Sequence, residues 1–168
     1  MPHQPASAAL ARFRVIDLTQ VRAGPTACRQ LADWGADVVQ VQMPEHMRGD
    51  DTLGGQEGSD YQYTHRNKRS VTLDLKKADD VEWLMEYIGR ADVLIQNLRP
   101  GVMDELGLDA ASLLAVNPRL VYCSVAAYSR EGAFADRFGF DPIAQAESGF
   151  VSMNGYPRSE EHTSELQS

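Results

Sequence analysis

The sequence is poor in the residues that announce covalent or metal chemistry. It has two cysteines, Cys28 and Cys123, in 168 residues, too few and too far apart for a disulfide framework or a metal knuckle. Its four histidines, His3, His46, His65 and His162, show no ligand spacing, so no metal site is expected. No apolar run approaches the ~20 residues of a membrane helix, and residues 1–11 lack the charged-then-apolar layout of a secretory signal. A G-x-G-x-x-G fingerprint is missing, which removes support for a nicotinamide cofactor. Basic residues are the minority: 16 Lys and Arg against 24 Asp and Glu give a formal charge of -8, which argues against generic nucleic-acid binding. Neither membrane nor nucleic acid is an expected partner, and the expected compartment is the reducing cytoplasm.

What is present fits an ordered globular protein, with 43% hydrophobic and 24% charged residues. Residues 1–12 are small, polar and proline-broken, and read as a loose leader. The terminal run 158–168 has no apolar face of any period and matches the read-through translation of a sequencing-library adapter. It is expected to be non-native, with the protein continuing beyond Pro157. Between the two ends, 13–157 reads as one truncated α/β domain.

Within that domain strands and helices alternate. The β-branched run 13–18 reads as a buried strand. A helix follows, with Pro25 near its first position, Ala27, Leu31 and Trp34 at helical spacing, and Gly35 as its stop. Residues 37–42 form the next strand and complete a right-handed βαβ unit. Residues 43–66, with four glycines and five acidic side chains, read as a long loop serving a site or interface. A strand over 70–75 precedes an amphipathic helix over 77–90, with Val81, Leu84, Met85 and Ile88 on one face and Asp79 and Asp80 in its first turn. Then come a strand over 91–96, a helix over 108–116 capped by Asp109 and ended by Asn117-Pro118, and a buried strand over 119–125. Cys28 and Cys123 read as buried small residues, and Trp34, Trp83 and Tyr87 as packing on the core. The pattern predicts an α/β fold: a Rossmann-like, mostly parallel sheet with helices on both faces.

Ligands of such sheets gather beyond the carboxyl ends of the strands. After the first strand, in Gln20-Val21-Arg22-Ala23-Gly24-Pro25, Gly24 permits close backbone approach and the helix start favours an anion; on these residues alone an ordinary strand-to-helix turn is the favoured reading. Five of the 16 basic residues, Arg66, Lys68, Arg69, Lys76 and Lys77, fall within one short stretch. They suit a multiply phosphorylated ligand or a solvated basic face. Asn97 and Arg99 are donors beside the Pro100-Gly101 turn. Asp141 either caps a helix starting at Pro142 or faces a site.

The order of these blocks is more specific than any one of them. Val15-Ile16-Asp17-Leu18-Thr19, Ala23-Gly24-Pro25 and Leu31-Ala32-Asp33-Trp34-Gly35-Ala36-Asp37-Val38-Val39 resemble the opening of the family III CoA-transferases, the CaiB/BaiF group. So do Asn67-Lys68-Arg69-Ser70-Val71-Thr72-Leu73-Asp74-Leu75, Ala91-Asp92-Val93-Leu94-Ile95-Gln96-Asn97-Leu98-Arg99-Pro100-Gly101 and Gly139-Phe140-Asp141-Pro142-Ile143-Ala144-Gln145-Ala146. The resemblance runs from about Phe13 to Pro157.

It implies the front part of an interlocked-homodimer fold and coenzyme A, as acyl-CoA, as the ligand. It implies transfer of CoA to a carboxylic acid through an aspartyl anhydride and an enzyme–CoA thioester. The attacking aspartate of the family follows the 145–149 block, and this chain ends before it, so the chain alone is expected to be inactive. The resemblance carries coenzyme contacts onto Arg22, Ala23, Leu73, Asp74, Leu75, Lys76, Asn97, Leu98 and Arg99, and an accessory catalytic role onto Asp141 and Arg22. Departures are Arg22 where formyl-CoA transferases have Gln, and Met43 and Glu105 where they have Arg. The related racemases carry His before the site aspartate, where this chain has Phe140, which ranks racemisation below transfer. A non-catalytic CoA-binding module is the other alternative.

Overall fold

The computed structural model describes residues 7–47, 58–137 and 139–154. They divide into two compact units, one ending at Val125 and one beginning at Ala126. The tail 158–168 and residues 1–6 of the leader lie outside the described residues.

Five strands build the first unit: β1 (Arg14–Leu18), β2 (Asp37–Gln42), β3 (Arg69–Thr72), β4 (Val93–Gln96) and β5 (Val121–Ser124). They lie in the order β3-β2-β1-β4-β5, every pair parallel. This is the Rossmann-like sheet the alternation predicts. Its strand order reverses between β1 and β4, the place where such sheets open a crevice. Side chains of a strand alternate between faces, and β1 shows the result. Val15 joins Cys28, Ala32, Val38 and Ile95 in one apolar cluster. Ile16 and Leu18 join Leu84, Ile88, Leu94, Leu108 and Leu113 in another. The first cluster lies under α1 (Ala23–Asp33), the second under α3 (Ala78–Ile88) and α5 (Ala110–Val116). Each helix therefore buries an apolar stripe on one face of a sheet that is covered on both.

Several local expectations need correction. Residues 43–66 are not all loop: α2 spans Ser59–His65, and a 3₁₀ turn spans Glu45–Met47. Tertiary bonds hold α2 where apolar periodicity gave no signal; Arg29 lies over the Tyr63 ring at 4.4 Å, and α2 packs on α1. The remainder of that stretch, 48–57, lies outside the described residues. The buried side of α1 is Pro25, Cys28, Arg29, Ala32 and Asp33, not the Ala27–Leu31–Trp34 line; Trp34 is 53% exposed. Two charged residues on the core side hid that stripe. Trp83 is also exposed and stacks on Tyr87, their rings 5.5 Å apart. β5 and Cys123 are only partly buried, because β5 is an edge strand. Residues 7–12 of the leader are docked: the Ser7 and Leu10 amides donate to Asp33 and Trp34 carbonyls at 3.1 and 2.9 Å. Gly35 adopts φ +100°, the left-handed stop the sequence predicts for α1, and a Cβ there would meet the Ser7 carbonyl oxygen.

In the second unit, α6 spans Asp141–Glu147 and α7 spans Phe150–Met153. Asp141 is the first residue of α6 and not its cap; Phe140 holds the cap position without a side-chain bond. In the first unit Asp109 does cap α5, accepting from the Ser112 hydroxyl and from the Ser112 amide at 3.0 Å, and these bonds, the hydroxyl's first, hold its carboxyl below the usual range. A four-residue helix, α4 (Val102–Glu105), follows Pro100-Gly101, where only a turn is expected.

Candidate functional site

Because all five strands are parallel, the loops after them share one edge of the sheet. The loop after β1 carries Arg22 and Ala23, and the loop after β4 carries Asn97, Leu98 and Arg99. The two adjoin at the strand-order reversal and are bonded reciprocally. The Gln20 amide donates to Asn97 Oδ1 at 2.8 Å, and Asn97 Nδ2 donates to the Gln20 carbonyl at 2.8 Å. Arg22, Ala23 and Arg99 are exposed there. No side chain caps the start of α1, so first-turn amides of an eleven-residue helix open toward the same edge. Arg22 is paired with Asp60 of α2, both well exposed.

Gly24 has a packing role within the fold. A Cβ at this position would lie 2.4 Å from Thr19 Cβ. Glycine therefore lets α1 start against the Thr19 side chain.

The first three cations of the run are paired with carboxylates of the protein itself, Lys68 in the interior and Arg66 and Arg69 at the surface. Arg66 grips Asp33 through Nε and Nη2 at 3.2 and 2.7 Å, and Asn67 Nδ2 donates to Asp33 at 2.8 Å. Arg69 grips Asp37 at 2.8 and 2.6 Å. Lys68 is sealed from water, its Nζ 2.7 Å from Asp17 Oδ2 and 2.9 Å from the Pro25 carbonyl oxygen. Asp17 Oδ1 accepts from the Thr19 amide at 2.9 Å. Four consecutive residues thus fasten the approach to β3 onto β1, α1 and β2. The Arg66 bonds hold the Asp33 carboxyl below its ordinary range, against the opposing effect of burial. Burial, with Asp17 nearby, pushes the Cys28 thiol far up, which leaves no thiolate at neutral pH. Of the five clustered cations, Lys76 and Lys77 alone are exposed and carry no ion pair to a described residue.

Sequence reasoning missed this buried pairing. Asp17 between Ile16 and Leu18 in an apolar strand was its signal, since a buried carboxylate requires a partner. Among the described residues, no three His, Cys, Asp or Glu side chains gather as metal ligands. His65 instead stacks on Tyr61, ring centroids 3.8 Å apart, and burial lowers the affinity of its ring for a proton.

The family model described as CoA-transferase family III matches residues 10–167. The chain belongs to CoA-transferase family III. It is similar to a succinate–glutarate CoA-transferase of Agrobacterium fabrum, 39% identical over 160 residues, covering 88% of this chain and 40% of that protein. It is also similar to an acetyl-CoA:oxalate CoA-transferase of Acetobacter aceti, 38% identical, covering 85% of this chain and 38% of the relative. Among solved structures, a CaiB/BaiF family protein from Brucella suis superposes with a TM-score of 0.78 at 36% identity, covering 89% of this chain and 42% of that one. The chain therefore spans about two fifths of the length of the relatives it matches.

For a family III chain, the remaining candidates fall as follows. Leu73, Asp74, Leu75 and Lys76 follow β3, on the same sheet edge but two strands from β1. Leu73 is core, and Leu75 packs against that core. Asp74 Oδ1 accepts from the Lys76 amide at 3.1 Å, and the Asp74 amide donates to Asp80 at 2.7 Å. Of these four, Lys76 is the exposed one. In the β4 loop, the Leu98 amide donates to Gln96 Oε1 at 2.8 Å. Asp141 is exposed in the second unit and accepts from Gln145 Nε2.

Proposed function

We propose that this chain is the coenzyme-binding front part of an enzyme that moves CoA from an acyl-CoA to a carboxylic acid. The observation that carries the reading is the bonded pair of loops after β1 and β4 at the strand-order reversal, in a chain of CoA-transferase family III. Arg22, Arg99 and Lys76 supply positive charge for the nucleotide phosphates, on a chain whose net charge of -8 would otherwise repel them. The open first turn of α1 adds amide donors.

The chemistry follows the order expected of the family. A carboxylate attacks the thioester carbonyl, CoA thiolate leaves, and a mixed anhydride forms. The thiolate then attacks the enzyme side of the anhydride, releasing the donor acid and leaving an enzyme thioester. The acceptor acid takes the CoA from there. Carboxylates are weak nucleophiles, so orientation and stabilisation of the developing oxyanion supply much of the rate. The attacking carboxylate is assigned to chain beyond Pro157, and Asp141 to an accessory role. Phe140 beside it offers no base, which favours transfer over racemisation. The complete protein is read as a cytoplasmic homodimer.

Succinate, glutarate and oxalate in the names of the relatives are short dicarboxylic acids, so succinyl-CoA and glutarate form the first assay pair. Calorimetric titration of CoA into the chain is expected to show binding, weakened by Arg22→Ala and by Arg99→Ala, while the same chain transfers no CoA between the pair. Absence of binding overturns the coenzyme reading. Transfer by this chain alone overturns the assignment of the nucleophile.

A further inference from the structure

We propose that Asn97 is a positioning residue: its carboxamide clamps the loop after β1 in a left-handed turn at Val21 and so fixes where Arg22 and the start of α1 are presented. Three observations converge. Asn97 makes two bonds to one backbone residue, accepting from the Gln20 amide and donating to the Gln20 carbonyl, each at 2.8 Å. The next residue, Val21, has φ 67°, a conformation strongly disfavoured for a β-branched side chain. Val21 is also 58% exposed, so packing of its own side chain does not impose that turn. Strain of this kind persists only where surrounding bonds over-determine it. The flanking bonds are the Gln20 pair on one side and, on the other, the first turn of α1, where the Thr26 amide donates to the Arg22 carbonyl at 2.9 Å.

The assignment changes the role of Asn97. With Oδ1 and one Nδ2 proton engaged by Gln20, the carboxamide is anchored to the protein and retains a second Nδ2 proton. The 97–99 loop then meets a ligand through backbone, Arg99 and that remaining proton. An asparagine fits where aspartate does not, because the site needs an acceptor and a donor side by side. The consequence for CoA rests on the functional reading above; the clamp itself does not.

The test separates the two. Amide exchange is followed by NMR in the chain carrying Asn97→Ala and in the chain carrying Asn97→Asp, with Ile16 and Leu94 as core references. Loss of the acceptor is expected to speed Gln20 exchange in Asn97→Ala by roughly tenfold or more, leaving the references unchanged. Asn97→Asp, which keeps the acceptor and the size, is expected to fall between parent and alanine, and it stands in if the alanine variant does not fold. Val21→Gly, which accepts the turn without strain, is expected to raise the melting midpoint of the parent. It should also shrink the cost of Asn97→Ala in the double variant. Unchanged Gln20 exchange, or strictly additive melting shifts, overturns the clamp. CoA titration of the same variants adds the second arm, in which affinity is expected to fall roughly tenfold in Asn97→Ala, about the cost of one misplaced charged contact. Faster Gln20 exchange with unaltered CoA affinity upholds the clamp and overturns the reading of these loops as the coenzyme site.

Discussion

Up to Val125 the chain closes two apolar clusters on either side of a parallel sheet and seals the Asp17–Lys68 pair among them. From Ala126 onward no described residue is fully buried. Both units nevertheless use the same polar vocabulary. Lys68 and Asp17 meet at 2.7 Å with side chains 1% and 0% exposed, whereas Arg137 and Glu147 meet at 2.6 Å with side chains 45% and 40% exposed. Tyr128 O–H donates to Glu147 at 2.6 Å, and Arg137 lies over the Tyr128 and Phe134 rings. The Tyr128–Glu147 bond holds the phenol's pKa above its usual range and the carboxyl's pKa below its own. The geometry is as good in the second unit, but water competes for every bond. Its apolar side chains Phe134, Phe140, Ile143, Phe150 and Met153 stay exposed. Helices as short as α6 and α7 have little stability of their own in water. Hydrogen-bond geometry is therefore no measure of local stability; the apolar burial around it is.

The sharpest way to break this contrast is to remove a charge from each unit. Lys68→Met leaves the Asp17 carboxylate buried without its cation, and is expected to cost about 3–5 kcal/mol in urea unfolding followed by sheet circular dichroism. A cost near zero would mean that water reaches Asp17. Next in size is Asn117→Ala. Asn117 Nδ2 bridges the Ile88 and Ala91 carbonyls at 3.0 and 2.8 Å, and stranding them is expected to cost about 1–3 kcal/mol in the same assay.

A smaller effect is expected at Asp33, whose folded carboxyl is held low chiefly by Arg66. A carboxyl lowered on folding contributes stability above its unfolded range and loses it as pH falls through the folded value. Asp33→Asn should therefore flatten the acid limb of the stability profile below the ordinary aspartate range and leave the profile's shape near neutrality unchanged. An identical acid limb in both proteins would contradict the pairing. The smallest effect is expected for Arg137→Ala, which should leave the sheet's unfolding midpoint where it was. In amide exchange, α6 and α7 should open well before β1 and β4. Equal protection in the two units would dissolve the comparison.

The sheet was legible because its strands announce themselves twice, as β-branched runs such as Val38-Val39 and Leu94-Ile95 and as the turns between them. The Asp109 cap and the face of α3 were legible for the same local reasons. The α1 stripe was not, since Arg29 and Asp33 lie on its buried side and read as surface residues until their partners in α2 and the 66–67 turn are known. The Arg66-Asn67-Lys68-Arg69 run looked like a phosphate cradle because its carboxylate partners, Asp17, Asp33 and Asp37, are some thirty to fifty residues away in sequence. Charge density along a chain says nothing about which charges meet distant carboxylates in the fold. At the candidate site, the strand ends pointed to the loops after β1 and β4, but the tie between Gln20 and Asn97 spans 77 positions and has no local signature.

Chemical-shift mapping of coenzyme A on the isotope-labelled chain tests the central claim most directly. The account predicts that saturating CoA shifts the amides of Arg22, Ala23 and Gly24 together with those of Asn97 and Arg99, while those of Glu82 and Glu86, on the exposed side of α3, stay fixed. Shifts confined to residues away from the β1 and β4 loops, or no shifts at all, would contradict it.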